Sequence, residues 1–263
     1  MATIAFAMAD EHRVDRLWPD PAVDLPLEEA FGRLELPDPP PGRPLVGVNM
    51  ITSIDGRAQL GGNAEGLGSR ADRRLMRLYR AAFDAVASGA GTLRADDFYS
   101  WLPSDLAERR AAGGLPAQPL ALLIAGAGAL PTDRRFFAHD EQPRAVAVGA
   151  SSPHAGSEPL PGVETWVAPD AIPQPAWLLD RLAERGVRTL LIEGGPTVNA
   201  AFLAANAFDE LYWTVGARLV AADALPMIAS LPDAHDPRPG SLVSAHRFGD
   251  ELFLRYRFAA IGS

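Results

Sequence analysis

The sequence predicts an α/β protein: a mixed sheet flanked by helices and ending in an antiparallel hairpin. Three observations carry this expectation. Short apolar runs at residues 44–51, 84–88 and 189–192 are bounded by turn signals and separated by stretches of helical spacing. Between the first two, Leu75, Met76, Leu78, Tyr79, Ala82, Phe83 and Val86 form a stripe that packs on a sheet. Near the end, the runs 242–248 and 252–258 meet around Gly249-Asp250, a hairpin signal.

Composition narrows the function classes. A chain of 263 residues, 48% hydrophobic and 22% charged, can bury one large core or two. No apolar run is long enough to span a bilayer, and residues 1–10 lack the basic start and apolar centre of a secretory signal, so a cytoplasmic location is expected. Cysteine is absent, which removes disulfides, thiolate catalysis and Cys-ligated zinc. The histidines (12, 139, 154, 235 and 246) have no paired metal spacing, so no metal is expected. All 24 basic residues are arginine, which excludes Schiff-base and P-loop lysines. A net charge of −9 argues against nucleic acid as a partner.

Taken in order, residues 1–43 are rich in proline and acidic groups, with a short helix expected at 27–32; they read as an N-terminal extension to a domain over 44–263. The strand 44–51 leads into Thr52-Ser53-Ile54-Asp55-Gly56, where Asp-Gly marks a sharp turn, and then into a glycine-rich loop at 61–68. Ser69 is an N-cap, with Asp72 as the fourth residue of a capping-box variant. The polar side of the following helix carries Arg70, Arg73, Arg74, Arg77 and Arg80, of which Arg80 is the candidate to reach an anion in a cleft. The strand 84–88 runs into the small-residue turn Gly89-Ala90-Gly91-Thr92. Strands are expected at 120–125, 145–148, 163–167 and 211–215, and a helix at 177–185 closed by Gly186.

The most informative stretch is Leu190-Leu191-Ile192-Glu193-Gly194-Gly195-Pro196-Thr197-Val198-Asn199, a strand, a tight turn and a helix start. Free N–H groups and the helix dipole at such a start attract an anion, and Gly194 and Gly195 let it approach the backbone. Pro196 suits the first helical turn. Glu193 stands at the carboxyl end of a strand, where ligands of open α/β sheets collect. The same glycine pair could equally serve only to turn the chain.

Three blocks resemble the pyrimidine reductases of riboflavin biosynthesis: Ser53-Ile54-Asp55-Gly56; Arg80 through Asp84 to Gly89-Ala90-Gly91-Thr92 and Asp96-Asp97; and Glu193-Gly194-Gly195-Pro196-Thr197 followed by Phe208-Asp209-Glu210-Leu211. The resemblance covers about residues 43–258. It implies a dihydrofolate-reductase-like fold, with a mostly parallel mixed sheet, and a reaction in which NADPH reduces the ribose of an aminopyrimidine phosphate to ribitol. It also implies cofactor contacts at Thr52, Thr92, Asp96, Gly126, Gly194, Gly195, Pro196, Thr197, Val198 and Asn199. Arg80 and Glu193 match substrate positions, with Asn49 and Ser53 in the first strand and its turn. Relatives are commonly homodimers, and the C-terminal strands with Trp213 and Phe253 are the expected interface.

The departures fall on the substrate side. Bacterial members have Lys where Asn49 stands and Trp near Gly66, and follow Asp-Asp with Pro and then Arg; here Phe98-Tyr99-Ser100-Trp101 follows. The zinc deaminase fused to many bacterial reductases needs cysteines this chain lacks.

Reduction also needs a proton. Without lysine or a well-placed histidine, the source is a carboxyl, a hydroxyl or water, and Asp55 and Glu193 are the catalytic candidates. Both can instead serve the fold, Asp55 by capping a turn and Glu193 by bonding backbone. Three functions stay open at this point: the pyrimidine reductase, a related reductase of a pterin or other carbonyl compound, and a dinucleotide-binding protein without turnover.

Overall fold

A computed structural model describes residues 12–156, 160–221, 223–231 and 237–259. Residues 1–10 and His235, considered above, lie outside them. The elements are β1 (Arg13–Trp18), β2 (Ala22–Pro26), α1 (Leu27–Phe31), β3 (Leu45–Thr52), α2 (Arg70–Ala82), β4 (Ala85–Gly89), α3 (Ala90–Asp96), α4 (Ser104–Ala112), β5 (Leu120–Ile124), β6 (Arg144–Val148), β7 (Glu164–Val167), α5 (Pro175–Glu184), β8 (Thr189–Ile192), α6 (Pro196–Ala204), β9 (Glu210–Val215), β10 (Gly240–Phe248) and β11 (Glu251–Phe258).

All eleven described strands form one sheet, in the order β2-β1-β10-β11-β9-β3-β8-β4-β5-β6-β7. The seven from β9 to β7 are parallel, and β11, β10, β1 and β2 continue the sheet antiparallel. This is the mixed, mostly parallel sheet with an antiparallel end that the sequence predicts. Residues 13–26, within the expected extension, supply its outermost pair.

Alternation along the parallel strands builds two cores. On one face Leu191, Val86, Leu123 and Val146 pack under α1, α2 and α4 through Phe31, Leu75, Tyr79 and Leu106. On the other, Leu190, Ile192, Leu122 and Ala145 pack under α5 and α6 through Leu178, Leu182 and Phe202. Strands covered on both faces carry the continuous apolar runs seen in the sequence. Each leucine so buried contributes about 2 kcal/mol. Gly47 of β3 is required by this packing: a Cβ there would stand 2.8 Å from Phe83 Cζ and 2.9 Å from Tyr212 Cε2.

Two sequence expectations are corrected. The segment after Gly89 is not a turn but the helix α3, with Gly89 as its N-cap. Phe253 cannot supply a two-fold interface through its side chain, because it is 2% exposed and packs edge-on to Phe31 inside the core. Trp213 is half-buried, and its indole Nε1–H donates to Thr52 Oγ1 at 2.9 Å. No described helix is long and apolar enough to cross a membrane.

Candidate functional site

The connections decide where a crevice opens. The helices after β3 and β4 lie on the first face, those after β7 and β8 on the second, and β8 is inserted between β3 and β4. Chains that leave neighbouring strands for opposite faces part at the carboxyl ends, and ligands of open α/β sheets bind there. Thr52, Gly89 and Glu193 all end or follow strands at this edge.

The glycine turn sits at its centre. Gly194 has φ +82°, a left-handed conformation that favours glycine, and a cis peptide joins it to Gly195. Its carbonyl accepts from Gly89 N at 2.9 Å and from Ser88 Oγ at 3.3 Å, which ties β8 to β4. A Cβ on Gly195 would come 3.1 Å from Thr92 Oγ1, and one on Gly194 3.2 Å from Met50 Sδ. Gly195 is the N-cap of α6, and Pro196 opens that helix as the sequence predicts. Thr197 and Val198 follow in its first turn, where backbone N–H groups have no intrahelical acceptor. Asn199 is fully buried; its Nδ2 donates to Met227 O at 2.8 Å, and its Oδ1 has no donor among the described residues. Thr92, Gly194, Gly195 and the start of α6 therefore lie together.

The other expected cofactor residues lie around it. Thr52 is buried, its hydroxyl engaged by Trp213. Asp96, one turn beyond Thr92 on α3, accepts from Ala64 N at 2.8 Å and so pins the glycine-rich loop 61–68 to the crevice. Gly126 follows β5, two strands from β8, and is close to Ile172 instead of the glycine turn.

Of the residues expected to meet substrate, the structure joins two that are 113 apart in sequence. Arg80 Nε and Nη2 donate to Glu193 Oε1 and Oε2 at 2.7 and 2.6 Å, and both side chains are buried. Arg80 is thus no part of a solvated helix face; Nη1 is the nitrogen outside the fork. Asn49 lies half-buried on β3, with an orientation along the strand that matches Ile51 and Tyr212.

Asp55 and Ser53 hold a loop. Ser53 Oγ donates to Asp55 Oδ1 at 2.7 Å, and the N–H groups of Val220 and Ala221 donate to Oδ1 and Oδ2 at 3.0 Å. These donors, led by Val220 N–H, pull the carboxyl down to about 2, so it is an anion at neutral pH and a poor proton source. Its geometry is that of the capping role weighed above.

Sequence reasoning read Asp72 only as half of a capping box. The first half forms: Ser69 Oγ accepts from Asp72 N at 3.3 Å. The carboxyl turns instead toward the sheet. A Cβ on Gly68 would stand 2.5 Å from Asp72 Oδ2 and 2.6 Å from Ile51 Cδ1, so the carboxyl and that methyl close over the glycine. Desolvation pushes Asp72 up to about 6, helped by Glu251 and Glu193 and opposed by Thr214 and Arg73.

Known proteins share this arrangement of chain. Residues 44–239 match the family described as the RibD C-terminal domain. The 2,5-diamino-6-ribosylamino-4(3H)-pyrimidinone 5′-phosphate reductase of Archaeoglobus fulgidus is 30% identical over 172 residues, 64% of this chain and 78% of that one. Its namesake in Methanothermobacter thermautotrophicus is 24% identical over 218 residues, 81% of this chain and 98% of the other. The fold is that of a pyrimidine reductase-like protein from Corynebacterium diphtheriae, with a TM-score of 0.75 at 24% identity over 89% of this chain and 98% of that one.

Proposed function

Because the chain belongs to the RibD C-terminal domain family, we propose that it is an NADPH-dependent reductase that converts the ribose of a ribosylaminopyrimidine phosphate to ribitol in riboflavin biosynthesis. Its relatives carry that kind of name, as pyrimidinone 5′-phosphate reductases. One observation carries the reading to this chain: the Gly194-Gly195 turn, pressed against Thr92 at the start of α6, fits a dinucleotide. The orphaned Asn199 Oδ1 adds a buried acceptor at the same helix end. Bound here, the cofactor would supply hydride.

The protein's part is binding and orientation. The N–H groups of Thr197 and Val198 and the α6 dipole would hold the pyrophosphate, with Thr92 beside it. Asp96 keeps the 61–68 loop in place over the crevice. Glu193, forked by Arg80, would orient substrate hydroxyls, and Arg80 Nη1 would meet the anionic end of the substrate. The preference for the 2′-phosphate and a homodimer come with this reading from the family resemblance, and the cytoplasmic setting from the sequence's lack of a spanning run or secretory signal.

The test is steady-state oxidation of NADPH with a panel of aminopyrimidine, pterin and simple carbonyl substrates, beside calorimetry of Gly195→Asp. Gly195 has φ −79° and ψ −172°, extended backbone open to any residue, and a Cβ 3.1 Å from Thr92 Oγ1 asks only a small shift of that hydroxyl, so the variant should fold. Its carboxylate would stand where phosphates bind. NADPH affinity should fall at least about tenfold, about 1.4 kcal/mol. Unchanged affinity in a folded Gly195→Asp, or turnover of every class except the aminopyrimidines, refutes the reading.

A further inference from the structure

Two segments meet at the carboxyl edge of the sheet from distant parts of the chain: the turn at 53–58 after β3, and the first turn of α6. Residues 223–229, which belong to no helix or strand, join them. At one end Arg57 Nη1 donates to Ala224 O at 3.1 Å and Ala58 N to Leu225 O at 2.8 Å, and Arg57 and Pro226 form an isolated antiparallel bridge. At the other end Asn199 Nδ2 donates to Met227 O at 2.8 Å, and Ala229 N to Pro196 O at 3.1 Å. The segment is a brace between β3 and α6, fastened at both ends by hydrogen bonds.

Arg57 supplies the side-chain fastening on the β3 side. Its backbone is fixed first: Ser53 N donates to Arg57 O at 2.8 Å, and Arg57 N to Ser53 Oγ at 3.0 Å. Asp55 Oδ2 stands 3.9 Å from Arg57 Nε, an ion pair that steadies the guanidinium. On the α6 side the brace settles a choice of orientation. A primary amide can offer either its N–H₂ or its oxygen to a ligand. With Nδ2 committed to Met227 O, Asn199 has Oδ1 left over at the helix start, buried and without a donor among the described residues. An amide oxygen accepts and cannot pair with a phosphate oxygen, so it suits an O–H or N–H of a dinucleotide, from a ribose hydroxyl or a carboxamide.

We propose that Arg57 is a positioning residue of this reductase: through the 223–229 brace it holds the Asn199 amide and the first turn of α6 in the orientation that receives the dinucleotide. The proposal rests on the cofactor reading above. Arg57 acts through Ala224, Met227 and Asn199, and its guanidinium makes no contact with the glycine turn. Without it, the backbone bond from Ala58 to Leu225 still ties the brace to the turn after β3, but the brace slackens. The Asn199 amide then turns more freely about its terminal torsion, which has broad wells.

The experiment compares the parent with Arg57→Met and Arg57→Lys. NMR follows hydrogen exchange of the Asn199 side-chain amide in the free protein, calorimetry gives NADPH affinity, and steady-state rates give kcat and the KM for each substrate. In Arg57→Met that amide should exchange at least about tenfold faster, as a locally loosened bond does. NADPH affinity should fall about fivefold, the share of one hydrogen bond from a charged donor, while kcat at saturating NADPH stays within about twofold. Arg57→Lys, whose ammonium still reaches a carbonyl, should return exchange and affinity to within about twofold of the parent. Unchanged amide exchange in Arg57→Met overturns the proposal. So does NADPH affinity within twofold of the parent, or an equal loss in Arg57→Lys. A parent that binds no NADPH refutes the cofactor reading and this role with it; a parent that binds NADPH no better than Arg57→Met does refutes this role alone.

Discussion

Glu193 and Glu210 are both buried and both paired with arginine, yet they stand in opposite relations to the fold. Glu210, fully buried at the start of β9, accepts from Arg257 Nε and Nη2 at 2.9 and 2.8 Å, from Arg255 Nη2 at 2.8 Å and from Tyr212 Oη. Its acceptor sites are saturated, and it joins β9 to β11 where the sheet turns from parallel to antiparallel. Glu193 has one arginine and stands at the open edge. A buried carboxylate with a full set of donors serves the architecture, and one with spare lone pairs at a strand end is available to a ligand.

The comparison can be broken at Glu210 first. Glu210→Ala leaves Arg255, 11% exposed, with no carboxylate partner and only the Glu35 carbonyl as an acceptor. Unpaired buried charge costs about 3 to 5 kcal/mol. Urea denaturation should register that loss, with NADPH affinity unchanged in the folded fraction.

The Arg80–Glu193 pair sharpens it. Arg80→Met alone leaves Glu193 buried without its fork and should cost about 2 to 4 kcal/mol of stability. Adding Glu193→Leu removes the orphaned charge and should bring stability back to within about 1 kcal/mol of the parent. Activity should not return: kcat/KM should stay at least about 100-fold down. A double variant that reduces substrate within threefold of the parent would make this pair as architectural as Glu210.

The smallest effects are read in pH. Asp72, raised to about 6, binds a proton more tightly folded than unfolded, so its stabilising contribution is complete below about 4 and lost as pH rises through 6. Asp72→Asn should therefore gain about 2 kcal/mol relative to the parent at pH 8 and little at pH 4. His246 has the opposite sign. Desolvation, with Arg16 nearby, pushes its imidazole down to about 4, so its contribution is present above 6.5 and lost as pH falls through 4. Thermal melts of both parent and variant across pH 4 to 8 check the two slopes.

What was legible follows from periodicity and turn chemistry. β8 and the Gly249-Asp250 hairpin were readable because apolar runs and turn residues bound them tightly. β1 and β2 escaped notice because Val14 is the one fully buried residue of the pair, with Val23 and Trp18 exposed, and a single buried position imposes no alternation. α4 escaped because one of its two buried residues is Arg110, whose guanidinium donates to the carbonyls of Ala81, Phe83 and Pro116. In the site, the glycine turn and helix start were local features and could be read. The Arg80–Glu193 fork and the turn of Asp72 toward the sheet depend on contacts between distant segments, and neither leaves a mark in spacing alone.

The place of β3 bears on how the molecule comes into being. Its neighbours, β8 and β9, begin at Thr189 and Glu210, so a strand that starts at Leu45 must wait for more than half the chain before either edge is paired. Val46 and Val48, fully buried at the end, are exposed to other chains in the interval. Contacts this distant in sequence make folding slow and open a window for aggregation. During synthesis the crevice cannot exist until α6 has emerged, because Thr52, Thr92 and the glycine turn come from opposite ends of that wait. Ribosome-bound chains halted before Thr189 should be protease-sensitive across β3, and chains halted after Phe258 should not.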